Sequence, residues 1–165
     1  FIFADYSFKI KWTKALSCII VSVILFINAG SMNFLFYNNY LSYESDKQLS
    51  AEIISELEEK GINYESKPIL FVGQTESVIR GGEYVQSGSF FNWDNGNNNR
   101  MHDFLKAEGY NTLKPPNELK ACGYELSKGM PCWPDDGSIK NDDKIIIIKF
   151  SEPSDKWFDV NGVAR

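Results

Sequence analysis

With 165 residues, 17 basic against 22 acidic side chains and a formal net charge of -5, the chain has room for one compact domain and a membrane anchor, but hardly for two domains. Its lysines are scattered rather than striped along one face, which argues against a nucleic-acid partner. The aromatic share of 15% is high enough for a membrane interface, a ligand surface, or both.

The chain opens on Phe1 rather than Met and reads as the C-terminal piece of something longer. Phe1–Phe8 is either the tail of a preceding span or a short connecting loop. From Ala15 the sequence runs ALSCIIVSVILFINAGSMNFLFY, and no Asp, Glu, Lys or Arg stands between Lys14 and Glu44. A helix rises about 1.5 Å per residue, so roughly 20 residues cross a hydrocarbon core about 30 Å thick. The pattern predicts a transmembrane helix over 13–37 within a membrane segment 1–44. Ser17, Cys18, Ser22, Ala29, Gly30 and Ser31 are small enough to admit a neighbouring helix, which suits a bundle with upstream transmembrane helices better than a lone anchor. Lys9, Lys11 and Lys14 crowd the N-terminal flank, whereas no basic residue follows the apolar run until Lys47. Positive charge stays inside, so residues 45–165 are expected to form an extracytoplasmic domain. Tyr37, Tyr40 and Tyr43 follow the run where headgroups would lie.

Ser45–Lys60 (SDKQLSAEIISELEEK) places Leu49, Ile53, Ile54 and Leu57 at helical spacing. Ser45 and Gln48 have capping-box spacing and Gly61 is a natural C-terminal stop, although a helix running unbroken from the membrane fits the same residues. Pro68–Gly73 (PILFVG) and Lys144–Phe150 (KIIIIKF) are short apolar runs of the kind buried on both faces, as in central strands of a parallel or mixed sheet. Between them, Asn99–Glu108 predicts a helix burying Met101, Phe104 and Leu105. Asn117 to about Ser127 predicts another, with Leu119, Cys122 and Leu126 inward. Tyr110–Leu113 reads as a short strand, and Glu83–Phe91 as a hairpin or edge strand. The fold class is α/β: a transmembrane helix followed by a small layered α/β domain with a short, mostly parallel sheet.

Several chemistries are missing from the sequence. Gly73 leads into Gln74, Thr75, Glu76 and Ser77 with no dinucleotide fingerprint, and there is no phosphate-binding P-loop. Neither a zinc-type cysteine pair nor a second histidine accompanies His102, which reads as a solvent-exposed helix residue. No cofactor and no metal is expected. Cys122 and Cys132 would lie in an oxidising compartment, where a disulfide joining them is one reading and two free thiols the other. Asp135, Asp136, Asp142 and Asp143 flank a turn and are expected to face water, without the spacing of a calcium loop.

Two loops combine Trp, Asp and Gly: Ser89–Gly96 (SFFNWDNG) and Gly129–Ile139 (GMPCWPDDGSI). An aromatic face packs on the C–H side of a sugar while carboxylates take its hydroxyls, so Trp93, Asp94, Trp133 and Asp136 are candidate substrate-binding residues. Arg100 could add a contact to a phosphate or carboxylate. The plainer reading is that the aromatics plug these loops onto the core while the Asp and Asn side chains form turns and caps.

The last membrane helix, the amphipathic helix, the PILFVG strand, Ser89–Asp94, Met130–Pro134 with Gly137 and Ser138, and the final apolar strand together resemble the C-terminal region of the Gtr-type glucosyltransferases. That family modifies bacterial O-antigen and related surface polysaccharides. The resemblance implies a multi-pass protein of the bacterial inner membrane, taking sugar from a polyprenyl-phosphate donor and passing it to a polysaccharide acceptor on the outer face. It also implies that the catalytic acids lie in a loop upstream of Phe1, so no residue here inherits a catalytic role. A noncatalytic membrane-anchored module for glycan binding, assembly or sensing is the other reading.

Overall fold

The computed structural model describes residues 2–75 and 88–163, with side chains from Trp12 onward. Helix α1 runs unbroken over Ile2–Glu59. Neither Pro nor Gly interrupts the stretch between the apolar run and Ser45, so the backbone ladder continues and Ser45 does not cap a new helix. The end of α1 falls where the sequence places it: Gly61 has φ +68°, Ile62 N donates to Leu57 O at 2.8 Å and Gly61 N to Glu58 O at 2.9 Å. This is the paired closure of a Schellman motif.

The chain divides into two compact units, Phe1–Asn38 and Asn39–Arg165. Among the described residues α1 is the one helix long and apolar enough to cross a membrane. Within its apolar run Leu16, Ile20, Ile24, Phe26 and Ile27 are each more than half exposed, so this surface has no protein core to explain it.

The second unit is α/β. Strand β1 (Ile69–Val72) pairs in parallel with β3 (Ile146–Lys149), and β2 (Ile139–Asn141) pairs antiparallel with β3. Among the described residues the sheet order is β1-β3-β2. Burial on both faces follows from alternation along the strands. Ile69, Phe71, Ile146 and Ile148 join Ile53, Ile54 and Leu57 of α1 and Met101, Phe104 and Leu105 of α2 (Asn98–Ala107). Leu70, Val72, Ile145 and Ile147 point the other way, against Leu119 and Tyr124 of α3 (Asn117–Ser127) and Trp157 and Phe158 of α4 (Asp155–Asn161).

Several expectations are corrected. Tyr110–Leu113 forms a single parallel bridge, Pro68↔Leu113, instead of a strand, because Pro115 and Pro116 follow at once and bring no N–H to extend a ladder. Helix α3 buries Lys120, Gly123 and Ser127, which rolls Cys122 outward. His102 is buried, 1% exposed, with Nε2 2.9 Å from Ile69 O and Nδ1 2.7 Å from Thr112 Oγ1. Both ring nitrogens therefore have partners, which is how a histidine tolerates burial. The segment Glu83–Phe91 falls largely outside the described residues, and its described end, Gly88–Phe91, is loop and turn.

Candidate functional site

The two aromatic-acid loops sit at different levels of α1. The first returns onto the helix at Ser42 and Asp46. Ser42 Oγ donates to Gly88 O at 3.1 Å, while the Asp46 carboxylate accepts from Ser89 Oγ at 2.5 Å and from Phe90 N at 2.7 Å. Burial raises the Asp46 carboxyl above its ordinary value, against the lowering effect of these two bonds. Held there, Phe90 stacks on Phe104 with centroids 4.5 Å apart and Phe91 is fully buried.

Trp93–Asn95 then form a 3-10 turn, with Asp94 at φ 50°, Asn95 at φ 57° and Gly96 at φ 78°. A Cβ on Gly96 would lie 2.2 Å from Gly73 O, so only glycine lets this turn close against the end of β1. Arg100, in the first turn of α2, lies over the Trp93 ring at 4.2 Å and donates from Nε to the Asp94 carboxylate. Trp93, Asp94 and Arg100 thus form one cluster. One face of the Trp93 ring is covered by the guanidinium, so that face is not an open platform for a sugar.

The second loop is placed by the sheet. Trp133 N donates to Lys149 O at 2.7 Å, Ser138 N to Asp135 O at 3.1 Å and Lys149 N to Ser138 O at 3.0 Å. The Trp133–Pro134 peptide is cis. Trp133 and Asp136 face Glu52, Glu56, Glu59 and Lys60 of α1 across a cleft of about 480 Å³. Lys60 Nζ lies 2.6 Å from Glu56 and 3.8 Å from Asp136, whose side chain is fully exposed. Such pairs add little stability. Their effect is on the cleft, where one cation stands among four carboxylates beside an indole.

The cleft and the Trp93 cluster share no lining residue. Cys122 and Cys132 are free thiols, the first exposed and the second half-buried, which is the second of the two readings of this pair. Among the described residues no group of three or more His, Cys, Asp or Glu side chains is placed to hold a metal.

Sequence reasoning missed Glu52, Glu56 and Glu59, which read as the solvated face of an amphipathic helix, although their spacing puts them on one stripe. It also missed Asp46. The available signal was Ser42, Asp46 and Ser50, small polar residues one helical turn apart and all buried. No family model, curated protein or solved structure matches the chain.

Proposed function

We propose that this chain is the C-terminal portion of a multi-pass bacterial inner-membrane glucosyltransferase, and that its α/β domain, on the extracytoplasmic side, holds the polysaccharide acceptor. The observation that carries this reading is the cleft at Trp133. Its volume of about 480 Å³ falls in the range of small-ligand sites, which extends from about 300 to 1,000 Å³. An indole and four carboxylates supply an apolar surface for sugar C–H groups and acceptors for sugar hydroxyls. Topology is supported by Lys9, Lys11 and Lys14 against a flank without basic residues until Lys47. Transfer from the polyprenyl-phosphate donor belongs to groups upstream of this domain. An excess of carboxylates makes the cleft a poor seat for a phosphate and a better one for the acceptor.

The test is a titration of the full chain in nanodiscs with oligosaccharides of the surface polysaccharide, followed by calorimetry. Trp133 also packs against the core, so Trp133→Ala is expected to lower the unfolding temperature somewhat and, in protein shown to be folded by circular dichroism, to weaken binding at least tenfold, while Trp93→Ala leaves affinity intact. Glycan binding that survives Trp133→Ala removes the cleft from the reading. No binding of any glycan by the unaltered chain favours the noncatalytic assembly or sensor module.

A further inference from the structure

The cleft at Trp133 offers a ligand far more acceptors than donors. Ionised, the side chains of Glu52, Glu56, Glu59 and Asp136 only accept, and the lining donors are Lys60, Ser55 and the Trp133 indole N–H. Lys60 is already engaged, 2.6 Å from Glu56 and 3.8 Å from Asp136. The helix adds to the imbalance. Glu52, Glu56 and Glu59 follow one another at i, i+4 and i+7, a stripe about 10 Å long, and the stripe runs to the C-terminal end of α1 at Glu59. No basic residue stands in that last turn, so Glu56 and Glu59 lie at the negative end of the helix macrodipole. Carboxylates placed there oppose the dipole and one another, which favours an incoming positive charge.

The facing wall is held in place by one strand residue. Lys149 is 1% exposed. Its Nζ donates to Met130 O at 3.0 Å, its N–H to Ser138 O at 3.0 Å, and its carbonyl accepts from Trp133 N at 2.7 Å. Three bonds thus fix the loop that brings Trp133 and Asp136 to the cleft, and a wall ordered in advance costs a ligand less to bind.

We infer that the cleft selects a sugar residue bearing a free primary amine. This rests on the cleft being the glycan site. An ammonium has three N–H donors and no acceptor, so it complements the carboxylate stripe while the C–H face of the same sugar packs on the indole. Acetylating the amine removes the charge and leaves one N–H. A neutral hexose brings hydroxyl donors but leaves the negative charge uncompensated. A bare metal ion fits less well, because the charge is spread along a stripe and, among the described residues, no three acidic, histidine or cysteine side chains converge on a point.

The test is calorimetry on the full chain in phosphatidylcholine nanodiscs with four probes. Chitin tetrasaccharide, its fully deacetylated counterpart and cellotetraose share one backbone linkage and differ only in the substituent beside the anomeric carbon, and spermidine supplies amines without a ring. The deacetylated oligomer is expected to bind at least tenfold more tightly than either twin at low salt. Most of that margin should vanish at about 1 M salt, where the screening length is about 3 Å. Glu59→Gln should weaken its binding roughly threefold, the worth of one charge about 6 Å away in water, and Lys60→Gln should strengthen it by a similar factor. Neither change should alter the affinity for cellotetraose. Glu118→Gln, an equal change of charge on α3 across the sheet, should leave all affinities as they are. A deacetylated oligomer bound no more tightly than its twins overturns the amine and leaves the glycan reading standing. Spermidine bound as tightly as the oligomer, or equal weakening by Glu118→Gln, also overturns it, because charge alone would then suffice. Binding of none of the four overturns the glycan reading and the amine with it.

Discussion

The side-chain amide of Asn98 pairs with both polar groups of Phe71: Phe71 N donates to Asn98 Oδ1 at 2.8 Å and Asn98 Nδ2 donates to Phe71 O at 2.9 Å. One turn later on α2, His102 Nε2 meets Ile69 O at 2.9 Å. Strand β3 occupies one side of β1, and these two helix side chains cover the other together with Leu113, whose carbonyl accepts from Ile69 N at 3.0 Å. The match is geometric, since i and i+4 on a helix advance about 6 Å and i and i+2 on a strand about 6.6 Å. Among the described residues the open edge is satisfied without a further strand, which removes a template for pairing with another chain.

Asn98→Ala therefore leaves the Phe71 N–H and C=O unpaired in a dry site, at a cost of roughly 2–4 kcal/mol. Asn161 Oδ1 loses one donor too, Asn98 Nδ2 at 3.1 Å, while the bond from the backbone N–H of residue 98 at 2.9 Å is kept. Native-state hydrogen exchange should show protection falling first at Phe71, with Leu70 and Val72, which face β3, retaining more of theirs.

The central sheet was legible because PILFVG and KIIIIKF are too apolar for any place but the interior, and α1 because charge is absent from its run. Strand β2 has one buried residue in three, Ile139, and takes its partner from the register of β3, which no local pattern reveals. Helix α4 was not read from the sequence: its 7 residues make no sustained period, and its ends are set by Ser154, whose side chain accepts from Trp157 N, and Gly162 at φ 65°. The aromatic-acid loops were visible as composition. Their partners on α1 were not, because Asp46 and the three glutamates become distinctive only when the loops fold back onto the helix.

Gly123 shows how an apolar pattern misjudges a helix face. Leu119, Cys122 and Leu126 outweigh a glycine in any such pattern, yet α3 sits so close to the sheet that a Cβ on Gly123 would lie 2.7 Å from Leu70 Cδ2 and 3.2 Å from Ile145 Cδ1. Gly123→Ala gains about 1 kcal/mol of helix propensity against an overpacking cost of about 1–3 kcal/mol. Net destabilisation of about 1 kcal/mol is expected in thermal unfolding. Leu70→Val with Gly123→Ala should recover part of it, because the offending methyl belongs to Leu70.

His102 makes the domain sensitive to acid. A carbonyl only accepts, so Nε2 donates to Ile69 O and neutral Nδ1 accepts from the Thr112 hydroxyl. Burial lowers the pKa from 6.5 to about 4, with smaller contributions from the Ile69 bond, which raises it, and from Lys114, which lowers it. A histidine whose folded pKa is depressed binds protons more readily when unfolded. Its contribution is complete above pH 6.5 and is lost as pH falls toward about 4. A shift of this size corresponds to roughly 3 kcal/mol. Stability measured by denaturant between pH 7 and 4 should fall accordingly, and His102→Gln should flatten that slope while lowering stability at pH 7.

Asp46 behaves with the opposite sign. Its carboxyl is 1% exposed, and burial raises its pKa despite bonds from Ser89 and Phe90. A raised folded pKa means that the stabilising contribution is present at low pH and is lost as pH rises through that value, so at neutral pH the charge is held at a desolvation cost. Asp46→Asn keeps an oxygen to accept from Phe90 N, turns an N–H toward Ser89 Oγ and removes the charge. It is expected to raise stability by about 1 kcal/mol at pH 7. Asp46→Ala leaves Phe90 N and Ser89 Oγ without this acceptor and should cost roughly 2–4 kcal/mol. Thermal unfolding of the detergent-solubilised full chain at pH 7 orders the three proteins. Asparagine falling below aspartate would mean that the ionised carboxylate itself holds the loop on α1, by bonds stronger than its desolvation cost.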